Sequence, residues 1–379
     1  MKRIYLDHAA TSPLHPEVAE KMLPIMTENF GNPSSIHSFG REARRILDES
    51  RRNLANHIGA APSEIIFTSG GTEADNLAII GTALANAHAG KHIITTEIEH
   101  HAVLHACKHL ERAGFNITYL PVNQQGVISL EELKKHLTEE TILVSIMYGN
   151  NEVGSIQPIP EISRLLKEHK ALFHTDAVQA FGIEEINVKD LGVDLLTVSA
   201  HKINGPKGVG FLYVKSGIKL QPSLYGGEQE LKRRAGTENV PGIFGLSCAA
   251  DLALTERLEK REKYKSYKQE MIAIFNDHHV EFDINGSESG LPHVFNVYFP
   301  KTQIESLLVN LDLAEIAASS GSACTAGSVD PSHVLVAMFG KDSERIVSSI
   351  RFSFGYGTNL EDIQLAAEKI SKIVKRVTA

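Results

Sequence analysis

Glu64-Ile-Ile-Phe-Thr-Ser-Gly-Gly-Thr-Glu-Ala-Asp-Asn76 compresses a strand, a turn and a helix start into one stretch. Ile65 to Phe67 form an apolar run of strand length. Gly70-Gly71 let the backbone turn closely, and Thr72 opens an Ala/Leu/Ile-rich helix. The same unit recurs on the C-terminal side. His92–Thr96 reads as a strand followed by a helix across 100–112, and Asn116–Leu120 as a strand followed by helical 129–137. Ile142–Ile146, Ala171–Thr175, Leu195–Ser199 and Gly210–Val214 continue the series of strands. Strands bounded by Gly, Pro and Asn turns and alternating with helices predict an α/β fold, with a mixed, mostly parallel sheet sandwiched by helices. Ligands of such sheets sit at strand carboxyl ends, where this sequence collects its polar residues.

A chain of 379 residues exceeds what one small core organises. Residues 251–276 change character, with apolar positions at helical spacing and a heavily charged outer face. They predict one long amphipathic helix bridging to a second domain that contains strand-like His293–Phe299 and a final helix. The expected division is a large domain over 15–259 and a smaller α+β domain made of 1–14 and 260–379.

The hydrophobic fraction of 42% and charged fraction of 22% are those of a globular protein. A formal charge of −8 argues against direct nucleic-acid binding. Lys232-Arg233-Arg234 and the run Arg44, Arg45, Arg51, Arg52 read as solvated faces. No apolar run approaches the roughly 20 residues that span a bilayer, and no signal-peptide pattern is visible. Three cysteines, Cys107, Cys248 and Cys324, neither form a disulfide framework nor match a zinc pattern. The chain is expected to be cytoplasmic, with reduced thiols and no membrane partner.

Three stretches carry chemistry. Thr68–Asn76 places free backbone N–H groups at a helix start, which suits an anion, although taken alone the pattern reads first as a plain N-cap at Thr72. Lys202 follows a buried-looking strand and Ser199-Ala-His201, then enters the Gly/Pro-rich turn 205–210. A lysine confined among apolar groups loses ammonium stability and becomes a nucleophile for carbonyls. Asp176, in His174-Thr-Asp-Ala-Val-Gln179, ends a strand where a carboxylate pairs with a protonated ring nitrogen. Each alone has an ordinary structural explanation; all three fall at one edge of one sheet.

Together with Tyr5-Leu-Asp-His-Ala-Ala-Thr11, Gly31-Asn-Pro-Ser34 and Ser349-Ile-Arg-Phe-Ser-Phe-Gly355, they make the chain resemble the fold-type-I pyridoxal 5'-phosphate (PLP) enzymes. The resemblance is to the class V aminotransferase group and, within it, to the NifS/IscS-type cysteine desulfurases, and it covers nearly the whole chain. It implies that Lys202 bonds PLP through its amine and that Gly71, Thr72, Ser199 and His201 hold the phosphate. Thr237 would reach in from a neighbouring subunit, which makes a homodimer part of the expectation. It further implies that Asp176 pairs with the pyridine nitrogen, that Asn151 and Gln179 bond near the phenolic oxygen, and that His100 stacks on the ring and moves protons. Arg351, with Asn151, would bind the substrate carboxylate.

Cys324 separates members of this group. Every residue from 319 to 328 is small, a setting in which a thiol can be exposed and mobile. Cys107 and Cys248 sit in apolar helical contexts and read as buried. The resemblance implies that L-cysteine becomes L-alanine, that its sulfur passes to Cys324 as a persulfide, and that an iron–sulfur scaffold or a tRNA-thiolating enzyme accepts it. Contact of Cys324 with a nascent iron–sulfur cluster would be transient. Selenocysteine lysis or transamination of a small amino acid needs the lysine, the aspartate and the phosphate site but no mobile cysteine. A non-catalytic sulfur relay would need no cofactor. His101, His105 and His109 have metal-binding spacing but no evident fourth ligand, and read as a solvated stripe. Ser12, and Tyr148-Gly149 before Asn150-Asn151-Glu152, depart from the group's usual residues without touching a proposed catalytic group.

Overall fold

The computed structural model describes residues 3–378 except 322, 323, 326, 327 and 330, and at 324, 325, 328 and 329 it describes the backbone alone. Seven strands form the main sheet: β1 (Ile65–Thr68), β2 (His92–Thr96), β3 (Asn116–Leu120), β4 (Thr141–Ser145), β5 (Leu172–Asp176), β6 (Leu195–Ser199) and β7 (Gly210–Val214). Their order is β1-β7-β6-β5-β4-β2-β3. The pairs from β6 across to β3 are parallel, and β7 runs antiparallel to both its neighbours. The α/β expectation therefore holds, with β7 making the sheet mixed.

Alternation explains why these strands need cover on both sides. Ile65, Phe67, Phe211 and Tyr213 enter one apolar core with the helix Val240–Thr255, whereas Ile66, Leu212 and Val214 enter another with the helix His101–Arg112. A sheet whose strands bury both faces reads as nearly continuous hydrophobic sequence. The edge strand β3 is only partly buried and correspondingly more polar.

A separate core joins Ile4 and Leu6 to Tyr264, Met271, Phe295, Phe352 and Ile370. Its framework is a three-stranded antiparallel sheet of β8 (Asp283–Asn285), β9 (Val294–Tyr298) and β10 (Ser349–Ser353), backed by the helices Arg257–Asp277 and Leu360–Thr378. Ile4 and Tyr5 pair in parallel with Ile316 and Ala317. The single helix expected over 251–276 is instead two. One ends at Thr255 and the next starts at Arg257, where Arg257 reaches Glu185 at 3.4 Å and Arg261 bonds the Ile183 carbonyl at 3.2 Å. No Gly or Pro lies in 251–276, so the break is set by these tertiary contacts. Leu258, one of the apolar residues of 251–276, is exposed.

The basic runs meet acidic partners, and Arg51 and Arg234, expected on solvated faces, are instead largely buried in their ion pairs. Arg234 pairs with Glu73 at 2.8 Å, Arg45 with Glu42 and Glu49, and Arg51 with Glu230 at 2.6 Å. Among the described residues no helix is long and apolar enough to cross a membrane.

Candidate active site

The carboxyl ends of five strands deliver the site. β1 leads into Gly70-Gly71-Thr72, β2 into His100, β4 into Asn151, β5 ends on Asp176, and β6 ends on Ser199 and passes through a 3-10 turn to Lys202. Gly71, Thr72, His100, Asn151, Asp176, Gln179, Ser199, His201, Lys202 and Arg351 all line one pocket of about 340 Å³, a size that suits a small cofactor with its substrate.

The turn after β1 requires glycine. Gly70 has φ 149° and ψ −174°, a region essentially closed to other residues. A Cβ on Gly71 would lie 3.0 Å from Val178 Cγ2. The helix begins at Gly71 with Gly70 as its N-cap, so the cap expected at Thr72 is displaced by two residues. Capping by backbone alone leaves the Thr72 hydroxyl out of that role. Glu73 accepts from Ser69 N at 2.8 Å and pairs with Arg234, which fixes the turn from outside.

Lys202 Nζ donates to the carbonyls of Ala9 at 2.6 Å and Ala10 at 2.8 Å. Burial, then Arg351, lowers its pKa to about 8, against the opposing pull of Asp176 and Asp7. Burial raises Asp176 to about 6, resisted by the Val178 N–H that donates to Oδ1 at 2.8 Å and by Lys202. The His100 ring is exposed to the pocket while the walls crowd its other side. That enclosure, then the charge of Lys202, lowers it to about 4. Its Nδ1 accepts from Ala102 N at 3.1 Å, so the neutral ring carries its proton on Nε2. His201 is lowered to about 4, again by burial first and Lys202 second, with Nδ1 3.1 Å from Thr11 Oγ1. Both imidazoles are neutral at pH 7.

Arg351 lies on β10, buried, with Nη2 on Asp7 at 2.6 Å and Nη1 on the Asn151 carbonyl at 3.0 Å. Among the described residues its Nε is buried without a protein acceptor, a donor that a ligand carboxylate could use. Both ends of the Gln179 amide are engaged from behind the pocket: Nε2 donates to the Ala9 carbonyl at 2.9 Å and Oε1 meets His293 Nε2 at 3.2 Å.

Several residues that line the pocket or lie just behind its wall had no local signal in the sequence. Asp7, from the N-terminal segment, reaches Arg351 across 344 positions. Asp75 is fully buried beside Asp176, and burial raises its pKa, then the Asp176 charge. Glu99, buried and accepting from Met147 N and Thr96 Oγ1, is raised to about 8 by burial. Glu152 accepts from Ser332 Oγ at 2.5 Å. The His stripe is partly drawn into the site: His101 stands 5.2 Å ring to ring from His105 and 4.8 Å from His333, and His101 and His333 line the pocket. Among the described residues no group of His, Cys, Asp or Glu forms a metal centre. The only hint of Asp75 was its place one turn after Gly71.

Thr237 is not in this pocket; it lines a separate depression with Ser69, Gly208 and Arg234. The Cys324 side chain lies outside the described residues, although Ser319 and Gly321, which lead into its loop, line the pocket rim. Cys107 and Cys248 are free and buried.

The class-V aminotransferase family profile matches residues 4–365. The chain is 62% identical over 379 residues to IscS 1 of Bacillus subtilis (strain 168), all of both chains being covered. It is 48% identical to the cysteine desulfurase IscS of Dictyoglomus turgidum (strain DSM 6724 / Z-1310), covering 100% of this chain and 96% of that one. A solved NifS-like protein superimposes with a TM-score of 0.92 at 36% identity, covering 99% of this chain and 100% of the other. A full-length match in sequence and fold, around a pocket with a buried lysine, a buried aspartate and an arginine, places this chain in the class-V aminotransferase family, among its IscS/NifS-type cysteine desulfurases.

Proposed function

We propose that this protein is a PLP-dependent cysteine desulfurase that converts L-cysteine to L-alanine and takes the sulfur on Cys324 as a persulfide. The observation that carries the reading is the convergence of Lys202, Asp176, His100 and Arg351 on one pocket whose rim leads into the Cys324 loop. The pocket fits PLP on its own chemistry: an amine held near pKa 8, a buried carboxylate, and a glycine turn where a Cβ would meet Val178. Lys202 would hold the cofactor. Gly71, Thr72, Ser199 and His201 would take the phosphate, Asp176 the pyridine nitrogen, Asn151 and Gln179 the phenolic side, and His100 the ring face. Bound PLP supplies an electron sink for the charge left on the substrate.

The chain's own groups do the rest. Arg351 would orient the substrate carboxylate, with its Nε the guanidinium nitrogen that has no acceptor among the described residues. The free Lys202 amine takes the Cα proton. The Cys324 thiolate attacks the substrate sulfur; an S–S bond forms, the C–S bond breaks, and the former Cβ takes a proton. His100, neutral with its proton on Nε2, can give and receive protons beside these atoms. The persulfide then passes to an acceptor protein, an iron–sulfur scaffold or a tRNA-thiolating enzyme, and any cluster met there by Cys324 is cargo.

Thr237, displaced from its own chain's pocket, supports a homodimer in which it serves the partner's. Ile36 and Phe30, 90% and 70% exposed, with Phe39 stacked on Phe30 at 5.5 Å, offer an apolar surface for that contact. The cores on the two faces of the main sheet support a large domain over 15–259, and the separate core supports a small one of 1–14 and 260–379 carrying the Cys324 loop. A reducing cytoplasm suits the thiol chemistry.

The test is turnover of L-cysteine with equal appearance of alanine and reducible sulfur. Cys324→Ser should abolish sulfur release in the presence of a thiol and the one-sulfur mass gain of the protein, while leaving the absorbance of bound PLP. Sulfur release persisting near the wild-type rate overturns the reading.

A further inference from the structure

Lys202 and Gln179 border a second space besides the substrate pocket. Behind them lies a cavity of about 40 Å³, walled also by His8, Lys260, Tyr264 and His293. One water needs roughly 10–15 Å³, so the cavity has room for about three. An open surface cleft of about 480 Å³ shares His8 and Ser12 with it, so these two residues stand between the cavity and the cleft, and His8 is the one with a ring that can pass a proton.

The wall is polar in a way that protein partners do not satisfy. His8 and His293 are 6% and 7% exposed, and among the described residues the Nδ1 of each lacks a protein partner of good geometry, although the Tyr5 backbone acts on the His8 ring as a hydrogen-bond acceptor. Their other nitrogens are engaged: His293 Nε2 with Gln179 Oε1 at 3.2 Å, and His8 Nε2 with Thr358 Oγ1 at 3.4 Å. Buried polar atoms left in this state belong beside water. Gly355 keeps the approach to His8 open, since a Cβ there would stand 2.2 Å from Nδ1. The charged groups around the cavity are Lys202, Arg351, Lys260 (paired with Glu256 at 2.9 Å) and Lys268 (bonded to the Leu291 carbonyl at 2.8 Å), with Asp176 and Asp7 facing Lys202. Burial holds both imidazoles neutral, His8 at about 4 and His293 at about 3, so neither adds a fixed charge to this cationic surround.

We propose that this cavity is a water site that exchanges protons between the Lys202 amine and bulk solvent, with His8 as its outlet. The inference rests on the proposed reaction, in which Lys202 takes the substrate Cα proton while substrate and cofactor occupy the front of the pocket. The resulting ammonium gives one proton to a cavity water, which passes one on through His8 to the open cleft. A solvent proton returns by the same route, so charge balances and the Cα of alanine receives hydrogen from solvent.

The position of the label tests this. The PLP-loaded enzyme is run in D₂O with L-cysteine carrying ordinary hydrogen at Cα, and hydrogen at Cα of the alanine is read by NMR. The wild type should place deuterium there almost completely. His8→Phe removes the relay nitrogens, and Ala253→Val fills the cavity from the facing helix without touching either histidine. Each should raise retention of the substrate hydrogen several-fold, toward the limit of about one third set by the three equivalent ammonium hydrogens. His8→Asn, which keeps a polar atom, should exchange more completely than His8→Phe. Bound-cofactor absorbance and circular dichroism establish that each variant is folded, and either one suffices. Alanine with the same isotope content in wild type and both variants overturns the conduit alone. No alanine from the wild type overturns the proposed reaction and the conduit with it.

Discussion

Lys202 loses its proton near pH 8 because burial and Arg351 outweigh Asp176 and Asp7. Below that pH it is an ammonium without a lone pair, and above it a nucleophile. Uptake of PLP by cofactor-free protein, read by imine absorbance, should therefore accelerate through about pH 8 and level off above it; an inflection at the ordinary lysine value of 10.5 would contradict burial as the cause. The same shift bears on stability. Unfolded lysine holds its proton up to about 10.5, so between pH 8 and 10.5 the unfolded chain binds more protons and folding gains stability as pH rises. Cofactor-free Lys202→Met should be roughly 1–3 kcal/mol more stable than wild type at pH 7 in urea unfolding, and that margin should close across the window. Asp176→Asn should lower kcat by roughly 10²–10³-fold, the usual cost of removing one preorganised electrostatic partner, with a smaller change in KM. Lys202, Asp176, Gly71 and Thr72 were legible in the sequence because each announces itself within a few residues of a strand end. Asp7, Asp75, Glu99 and Glu152 were not, because a carboxylate acquires its role from neighbours that only the fold supplies.

Among the elements, the sheet was the most legible part. Apolar runs in β2, β4, β6 and β7 are buried throughout and coincide with their reading from sequence within a residue or so. The turn after Thr255 was illegible, since the contacts that bend it lie at Ile183–Glu185, some seventy positions earlier. A second such contact joins the helix Ser38–His57 to the loop after 228. Glu230, at positive φ, accepts both Nη atoms of Arg51 at 2.8 and 2.6 Å and the Phe67 N–H at 3.0 Å, while the guanidinium lies 4.5 Å over the Phe67 ring. Its side chain is only 2% exposed, so removing Arg51 strands a buried charge. Arg51→Met should cost about 3–5 kcal/mol in chemical unfolding, and adding Glu230→Leu should recover part of it. The Thr237 segment follows this anchor, so the single variant should also weaken PLP retention.

For the whole molecule, Phe30, Ile36 and Phe39 gather three exposed apolar side chains close together in the sequence, the kind of surface that marks an interaction site. If the protein is the proposed homodimer, Ile36→Asp with Phe30→Asp should convert it to monomer in light scattering. If Thr237 serves the partner's phosphate site, that monomer should also bind PLP more weakly, with its circular dichroism unchanged. The thread holding the chain together is its N-terminal segment. Ile4 pairs with Ile316, Asp7 grips Arg351, Ala9 N–H donates to Ser353 Oγ at 2.8 Å, and Ala9, Ala10 and Thr11 meet Lys202 and His201. The ribosome makes residues 4–11 first and their partners on β10 more than three hundred positions later. During synthesis the early segment can meet Gln179, His201 and Lys202 once residue 202 has emerged. Its bonds to Arg351 and Ser353 wait for Ser349–Ser353. A chain still short of residue 351 therefore holds its lysine before it has the arginine proposed to bind the substrate carboxylate.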